Sequence, residues 1–267
     1  MNTYGRYIIL FALSCLTAQI AFPPFFRILA VRQGLKKNWR GEEIPALAGI
    51  IFPLLITLDT LIYGLSENLT ERIYILILAI ALIAGVGLYD DLYGDNGPKG
   101  LKGHLLYFWR RRIVTTGLIK LIGTGVIAAF TVFSLGYTLF DWLLLMLTVN
   151  TVNLLDLRPG RAVKGSALLL TAALLLAKED YWLMVTAGGL LTAYARYDLQ
   201  AEVMLGDCGS NCLGMIAGLS LLSASFTVKI SLIIVLAFFH ALAEKYSFSA
   251  IITRSSFLDR LDKWGQR

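Results

Sequence analysis

Ile73-Tyr-Ile-Leu-Ile-Leu-Ala-Ile-Ala-Leu-Ile-Ala-Gly-Val-Gly-Leu-Tyr89-Asp90-Asp91 is an uncharged run of membrane-crossing length that stops on two adjacent carboxylates. A helical span needs about 20 mostly apolar residues, and residues 72–89 come close to that. Carboxylates at the mouth of such a helix are unfavourable unless water, a cation or a charged substrate meets them. The run therefore predicts a membrane helix, and its end predicts a site.

The rest of the chain repeats the pattern. Of 267 residues, 57% are hydrophobic and only 16% charged, with a mean hydropathy of +0.69. These values exclude an ordinary soluble domain. Ten-residue alternation of the outer-membrane barrel type is missing. The expected fold is an all-α polytopic membrane bundle of about nine transmembrane helices. They are placed near 7–27, 46–65, 72–89, 113–134, 138–156, 162–178, 180–196, 209–227 and 228–246.

Basic residues set the expected orientation. With the N-terminus outside and nine spans, 19 of the 24 Lys and Arg residues fall on inner segments. Arg6, Arg72, Lys178 and Lys229 fall outside, and Lys120 lies within a span. The C-terminus is then cytoplasmic. A net charge of +6 gathered on one face suits anionic lipids or an anionic substrate. Cys15, Cys208 and Cys212 form no zinc or disulfide framework. The first span lacks the cleavage pattern of a signal peptide. Residues 1–246 read as one polytopic unit and 247–267 as a cytoplasmic tail. In that tail Ile251, Leu258, Leu261 and Trp264 recur among Arg254, Asp259, Arg260, Asp262 and Lys263. This amphipathic pattern suits a helix on the membrane surface or a flap over a site.

Three polar elements fall on the inner side under that threading. The first is Asp90-Asp91, followed by Lys99 and Lys102. In the second, Asn150, Asn153 and Asp156 are spaced by three and share a helix stripe. The third runs Gly206-Asp207-Cys-Gly209-Ser210 to Gly214. Its small residues permit close backbone approach, and Asp207 precedes a helix start. Taken singly, these elements also fit a solvated helix end, interhelical glue and a turn. Together, carboxylates converging with Lys and Arg suit a hard divalent cation and phosphates. The lack of a His/Cys cluster argues against zinc.

In this order the elements resemble the polyprenyl-phosphate N-acetylhexosamine-1-phosphate transferases. The resemblance runs from about residue 23 to 218. It includes Pro23-Pro24-Phe-Phe-Arg27, Arg32-Gln-Gly34 and Ile44-Pro45-Ala-Leu-Ala-Gly49, which look like that family's first cytoplasmic loop. Gly87-Leu-Tyr-Asp90-Asp91, Pro98-Lys99-Gly-Leu-Lys102-Gly, Asn150 to Asp156, and Met204 to Gly214 match its later elements. The resemblance implies Mg²⁺, with Mn²⁺ as a substitute, held by Asp207 and Asp90. It implies catalytic roles for Asp90, Asp91 and Asp156. Lys99, Lys102, Asn150, Asn153, Arg158, Arg161, Gly209 and Ser210 would contact substrate. A polyprenyl phosphate would attack the β-phosphorus of a UDP-amino sugar and release UMP at the cytoplasmic face of a bacterial plasma membrane. No nucleic-acid partner is implied, and a homodimer is left open. A catalytically degenerate member that binds lipid phosphate or assembles a complex is the alternative. The chain departs from the family at Asp156-Leu-Arg158-Pro159-Gly160-Arg161, where members often read Asp-Gly-x-Asp-Gly. It also has only His104 and His240, and none in the tail.

Overall fold

The computed structural model describes residues 2–31, 35–38, 40–64, 69–94, 97, 100–246 and 248–266, with the side chains of Leu101, Lys102 and Phe248 left aside. The fold is all-α with one short hairpin. The helices are α1 (Thr3–Val31), α2 (Ile51–Gly64), α3 (Glu71–Tyr93), α4 (Gly100–Arg111), α5 (Thr116–Ser134) and α6 (Leu139–Leu155). Then follow α7 (Arg161–Leu176), α8 (Tyr181–Leu199), α9 (Gly206–Leu221), α10 (Phe226–Lys245), α11 (Phe248–Arg254) and α12 (Ser256–Lys263).

Among the described residues, four helices are long and apolar enough to cross a membrane: α1, α3, α5 and α10. The segment Ala48–Gly64 and helix α6 are apolar but shorter. Each of the nine expected stretches contains one helix, although α2 is shorter than expected because a 3₁₀ turn, Ala48–Ile50, precedes it. Pro23 and Pro24 lie inside α1 without ending it. Helices packed in a bundle tolerate such residues when neighbours satisfy the freed backbone groups.

The order of the core follows from which helix is buried all round. Every residue of α9 from Cys208 to Leu221 is buried, and such a helix belongs at the centre. It packs against α3, α6, α7 and α8. Small residues allow the close approach. A Cβ at Gly214 would lie 2.6 Å from the Val149 Cα of α6, and one at Gly218 would lie 2.3 Å from the Thr148 hydroxyl. Helices α1 and α8 pair separately, with Phe22, Phe26, Phe52, Tyr194 and Tyr197 forming an aromatic cluster between them and α2. Asp59 of α2 is buried and accepts a 3.1 Å hydrogen bond from Thr17 of α1.

Helix ends gather in two groups. At one end Arg72, starting α3, is held by Asp180, starting α8, at 2.6 Å. Nearby, Lys229 of α10 meets Asp141 of α6 at 2.6 Å and the Leu222 carbonyl that follows α9 at 3.2 Å. The opposite end collects the C-termini of α3, α6 and α8 with the starts of α5, α7 and α9. A two-stranded antiparallel hairpin covers part of it, with β1 (Leu35–Lys37) paired to β2 (Glu43–Pro45) in the register Lys36 opposite Ile44. The hairpin lies within the expected inner loop 28–45, but three-residue strands carry no readable periodicity. Asn38 closes its turn by accepting from the Arg40 and Glu42 amides.

Candidate active site

The site forms where α3, α5, α6 and α9 meet. Its geometry depends first on Gly87. A Cβ there would lie 2.3 Å from the Asp207 carbonyl oxygen and 2.7 Å from the Cys208 Cα. Only glycine lets the α3 backbone come this close to the start of α9. One turn later, on the same face, Asp91 uses the closeness: its Oδ2 accepts the Cys208 amide at 2.9 Å. The first amides of a helix have no partner within it, so Asp91 caps α9 from a neighbouring helix. Lys36 of the hairpin donates to the Asp91 carbonyl at 2.9 Å and lies 3.9 Å from its carboxylate. Gly87→Ala is expected to cost about 1–3 kcal/mol through overpacking and to displace Asp207. Thermal unfolding in detergent reads the first effect.

Asp90 points elsewhere. Its carboxylate lies 3.5 Å from Lys120 Nζ, and the same ammonium is 2.8 Å from Asp207 Oδ2. Asp90 and Asp207 therefore meet across one ammonium. Asn153 donates to Asp207 Oδ1 at 2.8 Å and to Asn211 Oδ1 at 3.1 Å. The result is a carboxylate pair bridged by one cation and oriented by an amide. The adjacent aspartates thus have separate positions: Asp91 braces the backbone, and Asp90 faces the reactive cluster.

Asp156 follows α6 at the edge of this cluster. With Asn38, Arg158, Pro159, Asp198 and Met204 it lines a cavity of about 40 Å³. That volume holds a few waters, not a nucleoside. Burial, then the charges of Asp198, Asp207 and Asp91, push the Asp156 pKa well above the usual carboxylate range. The folded protein therefore holds this proton more tightly than the unfolded chain. The resulting stabilisation is complete below the ordinary carboxylate pKa and is lost as pH rises through the raised one. Asp156→Asn is expected to flatten that dependence, so its Tm overtakes the wild-type value at alkaline pH. Melting curves across pH in detergent test this.

The other expected contacts divide. Asn150 is exposed, one turn deeper in α6 than Asn153. Gly209 is taken up by packing, since a Cβ there would lie 2.7 Å from the Gly49 Cα. Ser210 is buried, with its hydroxyl 3.5 Å from the Asp207 carbonyl. Arg158 lines the Asp156 cavity. Arg161 makes a bidentate pair with Asp262 of the tail at 2.7 and 2.8 Å. Lys99 lies outside the described residues, as does the Lys102 side chain. His240 packs against α6, near Thr151 Oγ1 at 3.1 Å, and Cys208 and Cys212 are buried and free.

Sequence reading passed over Lys36, Asp198 and Asn211. Asp198 accepts the Gly160 amide at 2.6 Å and so fixes the turn between α6 and α7. Lys120 was visible only as a lone charge within an expected span. The carboxylates it joins come from α3 and α9, and only the fold reveals them.

Residues 73–225 match the family model described as glycosyl transferase family 4. The chain is also 26% identical over 246 residues to the phospho-N-acetylmuramoyl-pentapeptide-transferase of Clostridium novyi (strain NT), across 84% of this chain and 72% of that protein.

Proposed function

The chain belongs to glycosyl transferase family 4, and from that premise we propose that it moves a sugar-1-phosphate from a UDP-sugar to a polyprenyl phosphate. The sugar is of the N-acetylhexosamine type, UMP is released, and the product serves cell-envelope glycan synthesis. The observation that carries this reading is the cluster of Asp90, Lys120, Asn153 and Asp207 at one end of a bundle with membrane-spanning helices. Phosphoryl transfer needs in-line positioning and neutralised oxygen charge more than covalent help from the protein. Carboxylates, an ammonium and an amide meeting at the membrane rim suit that need.

Asp90 and Asp207 fit Mg²⁺. Both offer oxygen ligands, and both already converge on a single positive charge, Lys120 Nζ. No group of three or more His, Cys, Asp or Glu donors suited to a metal is gathered among the described residues, which leaves the rest of the shell to phosphate oxygens and water. The ion would supply Lewis-acid stabilisation of phosphoryl oxygen charge. Asp90 takes the proton of the lipid phosphate, whose oxygen forms the new bond to the β-phosphorus as the bond to UMP breaks. Lys120 offsets charge beside that phosphorus. Asn153 keeps Asp207 in orientation, and Asp91 with Gly87 holds the α9 start in place. Asp156 and Arg158 flank the small neighbouring cavity at the edge of the cluster.

The finer topology is part of the proposal: nine spans, an outside N-terminus and a cytoplasmic site in a bacterial plasma membrane. The alternation of helix ends between the Arg72 end and the Asp90 end supports it, as does the basic bias of the inner segments. The test is a donor panel. Purified protein in nanodiscs with undecaprenyl phosphate and Mg²⁺ is given a series of UDP-amino sugars, and lipid products are identified by mass spectrometry. A lipid-diphosphate sugar is expected from at least one donor. Lipid-phosphate binding with no product from any donor would favour the degenerate alternative.

A further inference from the structure

Helix α12 presents different chemistry on different sides. Phe257, Leu261 and Trp264 recur at four and three residues, on one stripe, and are 69%, 46% and 73% exposed. Asp259 and Asp262 lie on another stripe and are half-buried. Arg254, Arg260 and Lys263 are exposed around them. The Asp262 side is fully engaged. Its carboxylate takes the bidentate Arg161 pair, and Lys164 Nζ donates to the Leu261 and Asp262 carbonyls at 2.9 and 2.7 Å. Gln266 donates to the Pro159 carbonyl at 2.6 Å. These contacts all fall on residues 159–164, the segment that continues from the Asp156 cavity wall.

We propose that the tail is a strap clamped by the bilayer: α12 grips residues 159–164 with its Asp262 side and lays Phe257, Leu261 and Trp264 into an anionic lipid surface. Two features name lipid as the occupant. The tail follows α10, a membrane-length helix ending at Lys245, so it emerges where the polar headgroups lie. The apolar stripe is bordered by Arg254 and Arg260, which complement anionic headgroups, and by Lys263, whose ammonium is paired with Asp259 at 2.7 Å. The strap would hold the turn at Arg158 to Arg161, where this chain departs from the pattern of its relatives. This inference needs α10 to cross the membrane but does not rest on the transferase reading.

The full chain in nanodiscs tests it without any activity assay. Trp264 emission is isolated as the difference between wild type and Trp264→Phe. Brominated acyl chains are expected to quench it, and amide exchange over 256–264 should slow about tenfold when anionic lipid replaces part of a zwitterionic bilayer. Asp262→Asn should speed exchange over 157–164 while leaving Trp264 quenched, because the two faces act separately. Unquenched, solvent-like Trp264 emission in anionic nanodiscs would overturn the lipid assignment. So would protection of 256–264 that appears only with a co-purifying protein. Unchanged exchange over 157–164 in Asp262→Asn would overturn the grip. The lipid arm uses only the conservative Trp264→Phe change, so it stands even if Asp262→Asn fails to fold.

Discussion

Asp207→Asn is expected to lower UMP release by about 10³-fold or more, the scale of losing a preorganised charge at a phosphoryl-transfer site. The amide keeps the shape of the side chain but loses the charge that faces Lys120 and Asn153. Its backbone stays where Gly87 and Asp91 hold it, because Asp91 binds the Cys208 amide and not the Asp207 carboxylate. The variant should therefore stay folded in detergent, with a melting temperature close to wild type. Initial rates of UMP formation and a melting curve on one preparation separate lost chemistry from lost structure.

Lys120→Met is expected to damage both. Lys120, Asp90 and Asp207 keep only 17%, 16% and 28% of their side-chain area exposed, so the pair is poorly screened once the ammonium is removed. Breaking a buried pair by deleting one partner costs more than the pair contributes, because the remaining charge is uncompensated. Here two carboxylates would face each other, and residual water access brings the expected loss to about 2–3 kcal/mol. Adding Asp90→Asn to Lys120→Met should recover part of that stability without restoring transfer, since the two side chains are coupled. Mg²⁺ should raise the melting temperature of Lys120→Met more than that of wild type, because the ion would supply the charge the lysine removed. Equal shifts in the two proteins would count against Asp90 and Asp207 as the metal ligands.

Helical class and the three polar elements were readable for one reason. A charge or amide at the end of an apolar run is unfavourable, so its presence is informative. Asp90, Asn153, Asp156 and Asp207 stood out that way, and the structure gathers them at one end. What each glycine and charge touches was not readable. A small residue serves ligand approach or backbone packing equally well, and Gly209 is committed to Gly49. An arginine in a polar loop suits a phosphate or a carboxylate, and Arg161 is paired with Asp262, 101 positions away. The separate orientations of Asp90 and Asp91 follow from helical geometry, but which one faces α5 depends on how α3 is turned by packing at Gly87. Local pattern marked the tail as amphipathic. Which face grips protein and which stays free depended on the partners at 159–164.

Coupled product formation tests the central claim most directly. Purified protein in nanodiscs is supplied with polyprenyl phosphate, Mg²⁺ and UDP-amino sugars, and UMP and lipid-diphosphate sugar are quantified together. The cluster of Asp90, Lys120 and Asp207 as the transfer centre predicts equal amounts of the two products in wild type and neither in Asp207→Asn. Undiminished formation of both products in Asp207→Asn would contradict it.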